Sequence, residues 1–219
     1  MNKKSDINRE KKREMIILSA KQLIIEKGYQ KTNVEDITSR INIAKGSFYT
    51  YFKSKDQLIM TILDEAARAI SEKNSEVRNE NLPFEELLTY SVDKKFRVNE
   101  EIAFRTLFFY HLTLNLESLS REITEKLIEI KNLNIKHWYE IIEKFSSELN
   151  LKNERDIKRY AEYMDELVTL ALKNSLYYGK NENGNIFISD IDSVLKKVSE
   201  KNIDEEMNFL IKTIKKFFK

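Results

Sequence analysis

Apolar residues recur every three or four positions along most of the chain, the spacing that places them on one face of an α-helix. In the first such segment, Ile17, Ala20, Leu23 and Ile24 form the apolar stripe, and Gly28 follows as a left-handed stop. The pattern predicts two short helices within residues 32–52 and longer ones over 7–27, 55–70, 84–92, 103–114, 118–148, 154–178, 190–198 and 203–218.

Turn-forming residues are scarce, since the 219 residues include 1 Pro and 4 Gly against 34% charged residues. Strands need such residues between them, so the composition favours an all-α fold. The segment 103–114 has no polar face. We therefore expect its helix to be buried nearly all round, at the centre of a second domain.

Residues 32–55 have the pattern of a helix-turn-helix. Thr32 and Glu35 have the spacing of a capping box, in which two side chains satisfy backbone amides at a helix N-terminus. Asn42 ends this helix, and asparagine tolerates the left-handed conformation of a sharp turn. In the next helix Phe48 faces inward, which leaves the polar N-terminal face to enter a groove of DNA.

Basic residues are concentrated in the same part of the chain. Residues 1–56 carry 13 Lys and Arg against 7 Asp and Glu, whereas the whole chain has a net charge of +2. A basic segment joined to an acidic remainder is typical of a nucleic-acid binder with a second domain, although a merely solvated basic face has the same charge. We predict two domains, residues 1–56 and 57–219.

Composition also excludes several kinds of site. The absence of cysteine excludes disulfides and thiolate metal sites and fits a reducing compartment. The start is charged and no segment approaches the roughly 18 apolar residues of a membrane span, so we expect a cytoplasmic protein without a membrane contact. His111 and His137 are far apart, and no Gly-rich phosphate loop is present. These features predict no enzyme activity, no metal and no cofactor.

The segment 10–60 resembles the DNA-binding domain of the TetR family of one-component transcriptional regulators. The resemblance rests on the run Lys-Gly-Ser-Phe-Tyr-Thr-Tyr-Phe-Lys-Ser-Lys over residues 45–55 and on Gly28, Tyr29, Thr32, Val34, Ile37 and Leu58. It implies an all-α protein with an N-terminal three-helix helix-turn-helix DNA-binding domain and a larger helical ligand-binding and dimerisation domain. The remaining chain matches the family only in being helical and of suitable length.

Two positions depart from the family pattern. Asn42 stands where the family often has glycine, which the left-handed preference of asparagine accommodates. Ala44 stands where a Ser or Thr usually caps the recognition helix, and a cap without a side-chain acceptor is weaker by about 1 kcal/mol. We therefore expect the recognition helix to fray until DNA orders it.

The candidate DNA contacts share small, polar or basic side chains near two helix N-termini. A lysine at the start of the recognition helix can contact a phosphate or guanine, a glycine permits close approach, and short hydroxyls suit a base edge. By resemblance Tyr49 and Lys55 are phosphate contacts, although packing within the domain is the alternative, most evenly balanced for Tyr51. The full set is Thr32, Asn33, Lys45, Gly46, Ser47, Tyr49, Thr50, Tyr51 and Lys55.

A second set of mostly aromatic residues has the make-up of an apolar cavity with polar tips, the usual form of a small-molecule site, although plain core packing is the alternative for each. The set is Phe104, Phe108, His111, Trp138, Tyr139, Tyr160, Tyr163, Met164 and Tyr177. An aromatic or apolar effector is expected, and a flat aromatic cation held by ring faces and by Asp165 or Glu166 is one candidate.

The resemblance implies a homodimeric repressor that binds a palindromic operator in double-stranded DNA and releases it when a small molecule enters the second domain. The helices over 154–178 and 203–218 are the predicted dimer interface. A ligand-independent DNA-binding factor that acts through protein partners is the alternative. A filled core around residues 104–178 favours that alternative, and a cavity favours the sensor.

Overall fold

Helices make up nearly all the regular structure in the part of the chain that the computed structural model describes, namely residues 3–96, 100–114, 116–176, 178–180, 186–188, 192–194, 196 and 203–218. The helices are α1 (Lys3–Lys27), α2 (Val34–Arg40), α3 (Lys45–Phe48), α4 (Lys55–Arg78), α5 (Phe84–Phe96), α6 (Glu100–Thr113), α7 (Arg121–Lys144), α8 (Glu154–Leu176) and α9 (Ile203–Phe217). This confirms the predicted all-α class.

A short antiparallel hairpin follows α8 and was not predicted. Its strands are β1 (Tyr178–Lys180) and β2 (Ile186–Ile188), in which Gly179 lies opposite Phe187. The sequence indicated a break at this place through Gly179 and the asparagine-rich residues that follow, but not the pairing across it. The predicted helix over 190–198 falls largely outside the described residues, although 192–194 and 196 are helical.

Several helix ends differ from the predicted ones. α4 continues to Arg78, beyond the point where its apolar stripe fades, and α7 begins only after a short 3-10 helix at Leu116–Ser118. α7 also ends at Lys144 rather than at 148, where turn-type bonds take over: the amide of Phe145 donates to Ile142 at 3.3 Å. Side-chain periodicity predicts a helix better than it predicts where backbone bonding stops.

Contacts divide the chain into two compact units. The first unit comprises Met1–Ala66 and Phe104–Leu127, and the second comprises Ala67–Ala103 and Ile128–Lys219. The domain boundary at residue 56 stays a prediction. In both units the core consists of the apolar stripes of the helices, because burying these stripes is the main favourable contribution to folding.

The core of the first unit joins α1 to the helix-turn-helix. Its fully buried members include Ile16, Ala20, Ile24, Ile37, Phe48, Leu58 and Leu63. A buried hydrogen bond adds a directional contact between α1 and α2: the hydroxyl of Ser19 donates to the carbonyl of Ile37 at 2.9 Å. The helix-turn-helix therefore has a fixed inner face.

The core of the second unit lies among α5, α7, α8 and α9. Its buried members include Leu87, Val92, Trp138, Ile141, Ala161, Val168 and Ile214. The ring of Phe84 contacts Phe145 and Phe218, with centroid distances of 5.5 and 5.1 Å. These contacts hold the start of α5 and the end of α9 in place.

Two expectations for α6 were wrong. Ala103, Leu107, Phe108 and Leu112 are buried, but the other described side chains of this helix are half-buried or exposed, and Leu114 just after it is 50% exposed. The segment from Phe104 onward also groups with the first unit, so α6 is not the centre of a second domain. A helix rich in aromatic and aliphatic residues is therefore not necessarily buried all round, since folded proteins keep much apolar surface exposed.

Candidate DNA-binding surface

The turn before α2 is fixed by contacts within the first unit. Asn33 caps α2: its Oδ1 accepts from the amide of Asp36 at 2.9 Å, and the Asp36 carboxylate accepts from the Asn33 amide at 3.0 Å. The predicted capping box of Thr32 and Glu35 is wrong by one residue. Thr32 is fully buried, and its hydroxyl donates to the carbonyl of Gly28 at 2.9 Å.

The connection between α2 and α3 is a tight left-handed turn. Asn42 has a φ of 54°, as its position in the sequence predicts, and Gly28 has a φ of 82° at the end of α1. The amide of Ile43 donates to the carbonyl of Thr38 at 3.0 Å, which closes the turn on α2. This geometry places α3 directly after α2, as a helix-turn-helix requires.

The recognition helix α3 is only one turn long, from Lys45 to Phe48, and it has no side-chain cap. Ala44 occupies the cap position in the extended conformation that capping residues adopt, but it has no side-chain acceptor. The bonding continues as turns, with the amides of Tyr51 and Phe52 both donating to the carbonyl of Phe48. The expected weak cap is confirmed.

Buried and exposed residues separate cleanly along this segment. Phe48 and Phe52 are 0% and 3% exposed, and their ring centroids lie 5.7 Å apart. Tyr49 is 53% exposed and stacks edge-on against Phe48. Of the other predicted contacts, Asn33, Lys45, Gly46 and Thr50 are exposed, and Ser47 and Tyr51 are half-buried.

Two of these exposed positions, Lys45 and Gly46, make few contacts with the rest of the protein. The Nζ atom of Lys45 lies 3.6 Å from the Glu35 carboxylate, and both side chains are more than half exposed. Such surface pairs contribute about 0–1 kcal/mol, so this pair presents little obstacle to a phosphate. A Cβ atom added at Gly46 would meet nothing within 4 Å, so packing inside the protein does not require glycine there.

Lys55 is placed differently from the expected phosphate contact. Its Nζ donates to the carbonyls of Tyr29 and Thr32 at 2.8 and 2.9 Å, and it lies 3.9 Å from the centroid of the Tyr29 ring. The Tyr29 hydroxyl donates to the Asp56 carboxylate. Burial lowers the pKa of Lys55, an effect that Asp56 opposes. These contacts engage the ammonium group of Lys55 within the unit. Thr32 is buried, so its side chain is not presented at the surface either.

The basic residues around the motif fall into two groups. Arg13 is held by Glu65 at 2.7 Å and Glu10 at 3.2 Å, and Arg40 makes two bonds of 2.6 and 2.7 Å to Glu26. By contrast Arg9, Lys11 and Lys12 are exposed on the first half of α1. The net positive charge of this segment is therefore carried partly by side chains that fasten helices together.

A buried polar cluster in the second unit was missed by the sequence analysis. The hydroxyl of Ser91 lies 2.7 Å from Nε2 of His137, and Lys95 donates to Oδ1 of Asn134 at 3.0 Å and lies 5.1 Å from the centroid of the Trp138 ring. Nδ1 of His137 and Nε1 of Trp138 are buried, and no hydrogen-bond partner for either lies among the residues that the structure describes. Polar residues at helical spacing carry no sequence signal that separates such a cluster from a solvated face.

The electrostatics of this cluster follow from its burial. Burial, with the positive charges of Lys95 and Arg78, lowers the pKa of His137 to about 3. Burial also lowers the pKa of Lys95 to about 8, against the opposing effect of Asp165, whose own pKa burial raises. Buried polar atoms normally find partners, and Nε2 of His137 has one in the hydroxyl of Ser91.

The predicted effector residues are spread over both units. Phe104, Phe108 and His111 belong to the first unit, and Trp138, Tyr139, Tyr160, Tyr163 and Met164 belong to the second. Tyr177 lies outside the described residues. Trp138 and Met164 are buried, whereas Tyr163 is 61% exposed and lines an open groove beside Leu170 and Phe217. Tyr160 packs against Phe218, and Tyr139 donates to Glu143 at 3.0 Å.

The described parts of the chain contain neither a metal-binding cluster nor a membrane-spanning helix. No three of their histidine, aspartate or glutamate side chains lie close enough together to hold a metal ion. None of the described helices combines the length and apolar character needed to cross a membrane.

The segment that contains this surface is similar in sequence to known regulatory proteins. Residues 16–60 match the profile of bacterial regulatory proteins of the tetR family. The uncharacterized HTH-type transcriptional regulator YuxN of Bacillus subtilis is 42% identical over 53 residues, which are 24% of this chain and 18% of YuxN. YerO, an uncharacterized HTH-type transcriptional regulator of the same organism, is 25% identical over 189 residues, which are 72% of this chain and 64% of YerO. The chain thus spans less than two thirds of these relatives.

The fold of the remaining chain is also that of a solved regulator. A structure from Syntrophomonas wolfei, described as a TetR-family transcriptional regulator, superposes with a TM-score of 0.67 and covers 96% of each chain at 17% identity. At this identity the likeness shows the fold alone. Residues 16–60 therefore match bacterial regulatory proteins of the tetR family, and the chain as a whole has the fold of a solved protein described as a TetR-family regulator.

Proposed function

We propose that the protein is a DNA-binding transcriptional regulator that binds a palindromic operator as a homodimer. The observation that carries the proposal is the division of the recognition segment, in which Phe48 and Phe52 are buried while Lys45, Gly46, Tyr49 and Thr50 form an exposed polar face. A helix anchored from one side and polar on the other is the arrangement that enters a major groove. The match of residues 16–60 to bacterial regulatory proteins agrees with the expectation that the chain is not an enzyme.

Each exposed group has a chemical role in the proposed complex. Lys45 supplies a positive charge to a phosphate or to the acceptor edge of guanine, and Tyr49 supplies a phenol hydroxyl for a phosphate. The backbone at Gly46 can approach DNA closely because it has no side chain. Asn33 and Thr50 add polar groups at the edges of this face, and the half-buried Ser47 and Tyr51 complete the proposed contacts.

Dimerisation is supported by apolar residues on the outer faces of α8 and α9. Tyr163, Leu170 and Phe217 line one groove, and the first two are 61% and 53% exposed. Phe209, on the same α9, is 66% exposed. Exposed apolar surface of this kind is typical of protein interfaces. A two-fold axis through this surface would give two copies of α3, which must meet successive major grooves about 34 Å apart.

An effector site is supported by the buried polar groups around His137 and Trp138 in the second unit, where Ser91 and Lys95 also lie. We propose that a small molecule bound there favours a dimer whose α3 copies no longer match the groove spacing, which releases the operator and relieves repression. A ligand shifts such an equilibrium only by its difference in affinity between the two forms. Trp138 is the single tryptophan of the chain, so its fluorescence reports binding directly.

The test measures the affinity of the protein for DNA from the region upstream of its own gene, at increasing salt concentration. Tyr49→Ala should weaken binding about tenfold through loss of a hydrogen bond to a charged group. Gly46→Ala should also weaken binding while leaving the melting temperature at or above the wild-type value, because its added Cβ meets no protein atom. Lys152→Ala, at an exposed lysine of the second unit, is the control and should bind as the wild type does.

Two results would contradict the proposal. The first is an affinity that does not fall with salt, since phosphate contacts release counterions and always produce that fall. The second is full binding by both Tyr49→Ala and Gly46→Ala. For the effector, the purified protein is extracted and examined by mass spectrometry, and an extracted molecule that leaves Trp138 fluorescence and operator binding unchanged argues against the site.

A further inference from the structure

We infer that Lys55 is a positioning residue for DNA binding and not a phosphate contact: its ammonium group fastens the turn between α1 and α2 to the start of α4. This inference rests on the proposed DNA-binding function. It concerns which lysines of the motif meet DNA and which hold the motif in shape.

The donor inventory of Lys55 is the first argument. An ammonium group has three N–H donors. Two of them are engaged by the carbonyls of Tyr29 and Thr32 at 2.8 and 2.9 Å. The third has the Tyr29 ring beside it, with the centroid 3.9 Å from Nζ, which is well within the range of a cation–π contact. A phosphate would have to displace one of these partners.

The place of the two carbonyls is the second argument. Both belong to the turn that ends at Asn33, the residue whose side chain caps α2. Within this turn the amide of Thr32 donates to the carbonyl of Tyr29 at 3.3 Å, a long bond that fixes the backbone weakly by itself. The ammonium group of Lys55 donates to both carbonyls. Hydrogen bonds from a charged group are stronger than those between neutral groups. The N-terminus of α2 is thereby held against α4.

Tyr29 contacts both Lys55 and the residue that follows it. It is 6% exposed, and its hydroxyl donates to the carboxylate of Asp56, the residue next to Lys55. The side chain whose ring contacts Lys55 is therefore itself hydrogen-bonded to the first turn of α4. The four residues Tyr29, Thr32, Lys55 and Asp56 form a closed set of contacts, which we call the turn clamp.

Lys45 offers the contrast within the same motif. Its side chain is 57% exposed, and its Nζ atom lies 3.6 Å from the carboxylate of Glu35 on the surface. Substituting each lysine by methionine removes one charge and keeps most of the length of the side chain. The two variants therefore compare a lysine held inside the domain with one presented outside it.

The experiment measures operator affinity against salt for the wild type, Lys55→Met and Lys45→Met, together with amide hydrogen exchange of residues 28–36 in the DNA-free proteins. Lys55→Met should bind about tenfold more weakly, as expected for lost bonds to a charged group. Its salt slope should equal that of the wild type, and its exchange over 28–36 should be faster. Lys45→Met should lower the slope by about 0.9, the effect of one phosphate contact, with exchange unchanged.

Opposite outcomes separate the possibilities. A smaller salt slope for Lys55→Met, or an unchanged exchange rate over residues 28–36, would overturn the positioning role. If the wild type shows no salt-dependent binding, the proposed function fails, while the exchange measurement still decides whether Lys55 holds the turn.

Tyr29→Phe is the second variant, for the case that Lys55→Met does not fold. It removes the hydroxyl bond to Asp56 and keeps the ring beside Lys55. We expect the same direction of change as for Lys55→Met, but smaller, with an unaltered salt slope. Lys55→Arg, which keeps a cation with several donors, should recover part of the affinity lost in Lys55→Met. Failure of both effects would count against the turn clamp.

Discussion

At the scale of single residues, the conflict between burial and charge is strongest at His137. The imidazole is 1% exposed, one ring nitrogen lies beside Ser91, and the neighbouring cations Lys95 and Arg78 disfavour a further positive charge. Asp165, on α8, is the acidic group that faces Lys95 in the same cluster. The histidine is therefore neutral in the folded protein over the whole physiological range.

This environment predicts an acid-sensitive stability. The pKa of His137 is about 3 in the folded protein against an ordinary value of 6.5, so below pH 6.5 the unfolded chain binds the extra proton. The stability contributed by the neutral ring is present above pH 6.5 and is lost as the pH falls, by about 2 kcal/mol between pH 7 and pH 5. Urea unfolding at the two pH values measures the loss.

The matched variants isolate the residue responsible. His137→Gln cannot titrate but keeps a hydrogen-bonding group for Ser91, and it should lose about 2 kcal/mol less than the wild type over this pH interval. His111→Gln removes the other histidine, which is half-buried, and should keep the larger part of the loss. An equal pH dependence for the wild type and His137→Gln would contradict the argument.

At the scale of an element, α3 is the least self-sufficient helix of the motif. It comprises four residues, its cap residue Ala44 has no side-chain acceptor, and its anchor is the buried ring of Phe48. Short helices are unstable alone, because few backbone bonds offset the ordering of their residues. Packing therefore holds one side of α3, while its cap residue offers no side-chain acceptor to the amides at the helix N-terminus.

A capping side chain should order this helix before DNA is present. Ala44→Thr is expected to stabilise the helix start by about 1 kcal/mol, to slow amide exchange over residues 45–49 and to strengthen operator binding, since less ordering remains for the binding step. The salt slope should not change, because no charge is added. Ala44→Val has the same shape without the hydroxyl, so equal behaviour of the two variants would rule out capping as the cause.

At the scale of the whole molecule, the proposed regulator depends on assembly, because one copy of α3 contacts one half-site. The exposed apolar residues of α8 and α9 are the surface that supports this assembly. A charge placed within a desolvated apolar interface is strongly unfavourable. A single substitution on this surface should therefore separate the subunits while leaving each one folded.

Leu170→Glu provides this substitution. Leu170 is 53% exposed in the isolated chain, so the new carboxylate does not disturb the core of the second unit. Sedimentation velocity at micromolar concentration should show a dimer for the wild type and a monomer for Leu170→Glu. Ile128→Glu, at a similarly exposed apolar residue of α7, is the control and should remain a dimer. A dimeric Leu170→Glu variant would place the interface elsewhere.

Much of the candidate site could be predicted because its determinants are local. Left-handed turns favour Gly or Asn, so Gly28 and Asn42 could be predicted as turn residues from the sequence. Their φ values are 82° and 54°. Phe48 and Phe52 follow helical spacing and are buried as expected. The role of Lys55 could not be predicted in the same way, because its partners lie 26 and 23 residues away.

The sequence by itself determined the helical class, the helix-turn-helix and the resemblance of its N-terminal part to a family, since hydrophobic period, turn chemistry and a contiguous motif are all properties of neighbouring residues. Only the tertiary structure decided which polar groups face inward. It buried Thr32, engaged Lys55 within the turn clamp, and gathered Ser91, Lys95 and His137 from two helices into one cluster. The physical reason is that burial and pairing depend on residues distant along the chain, which the local pattern does not record.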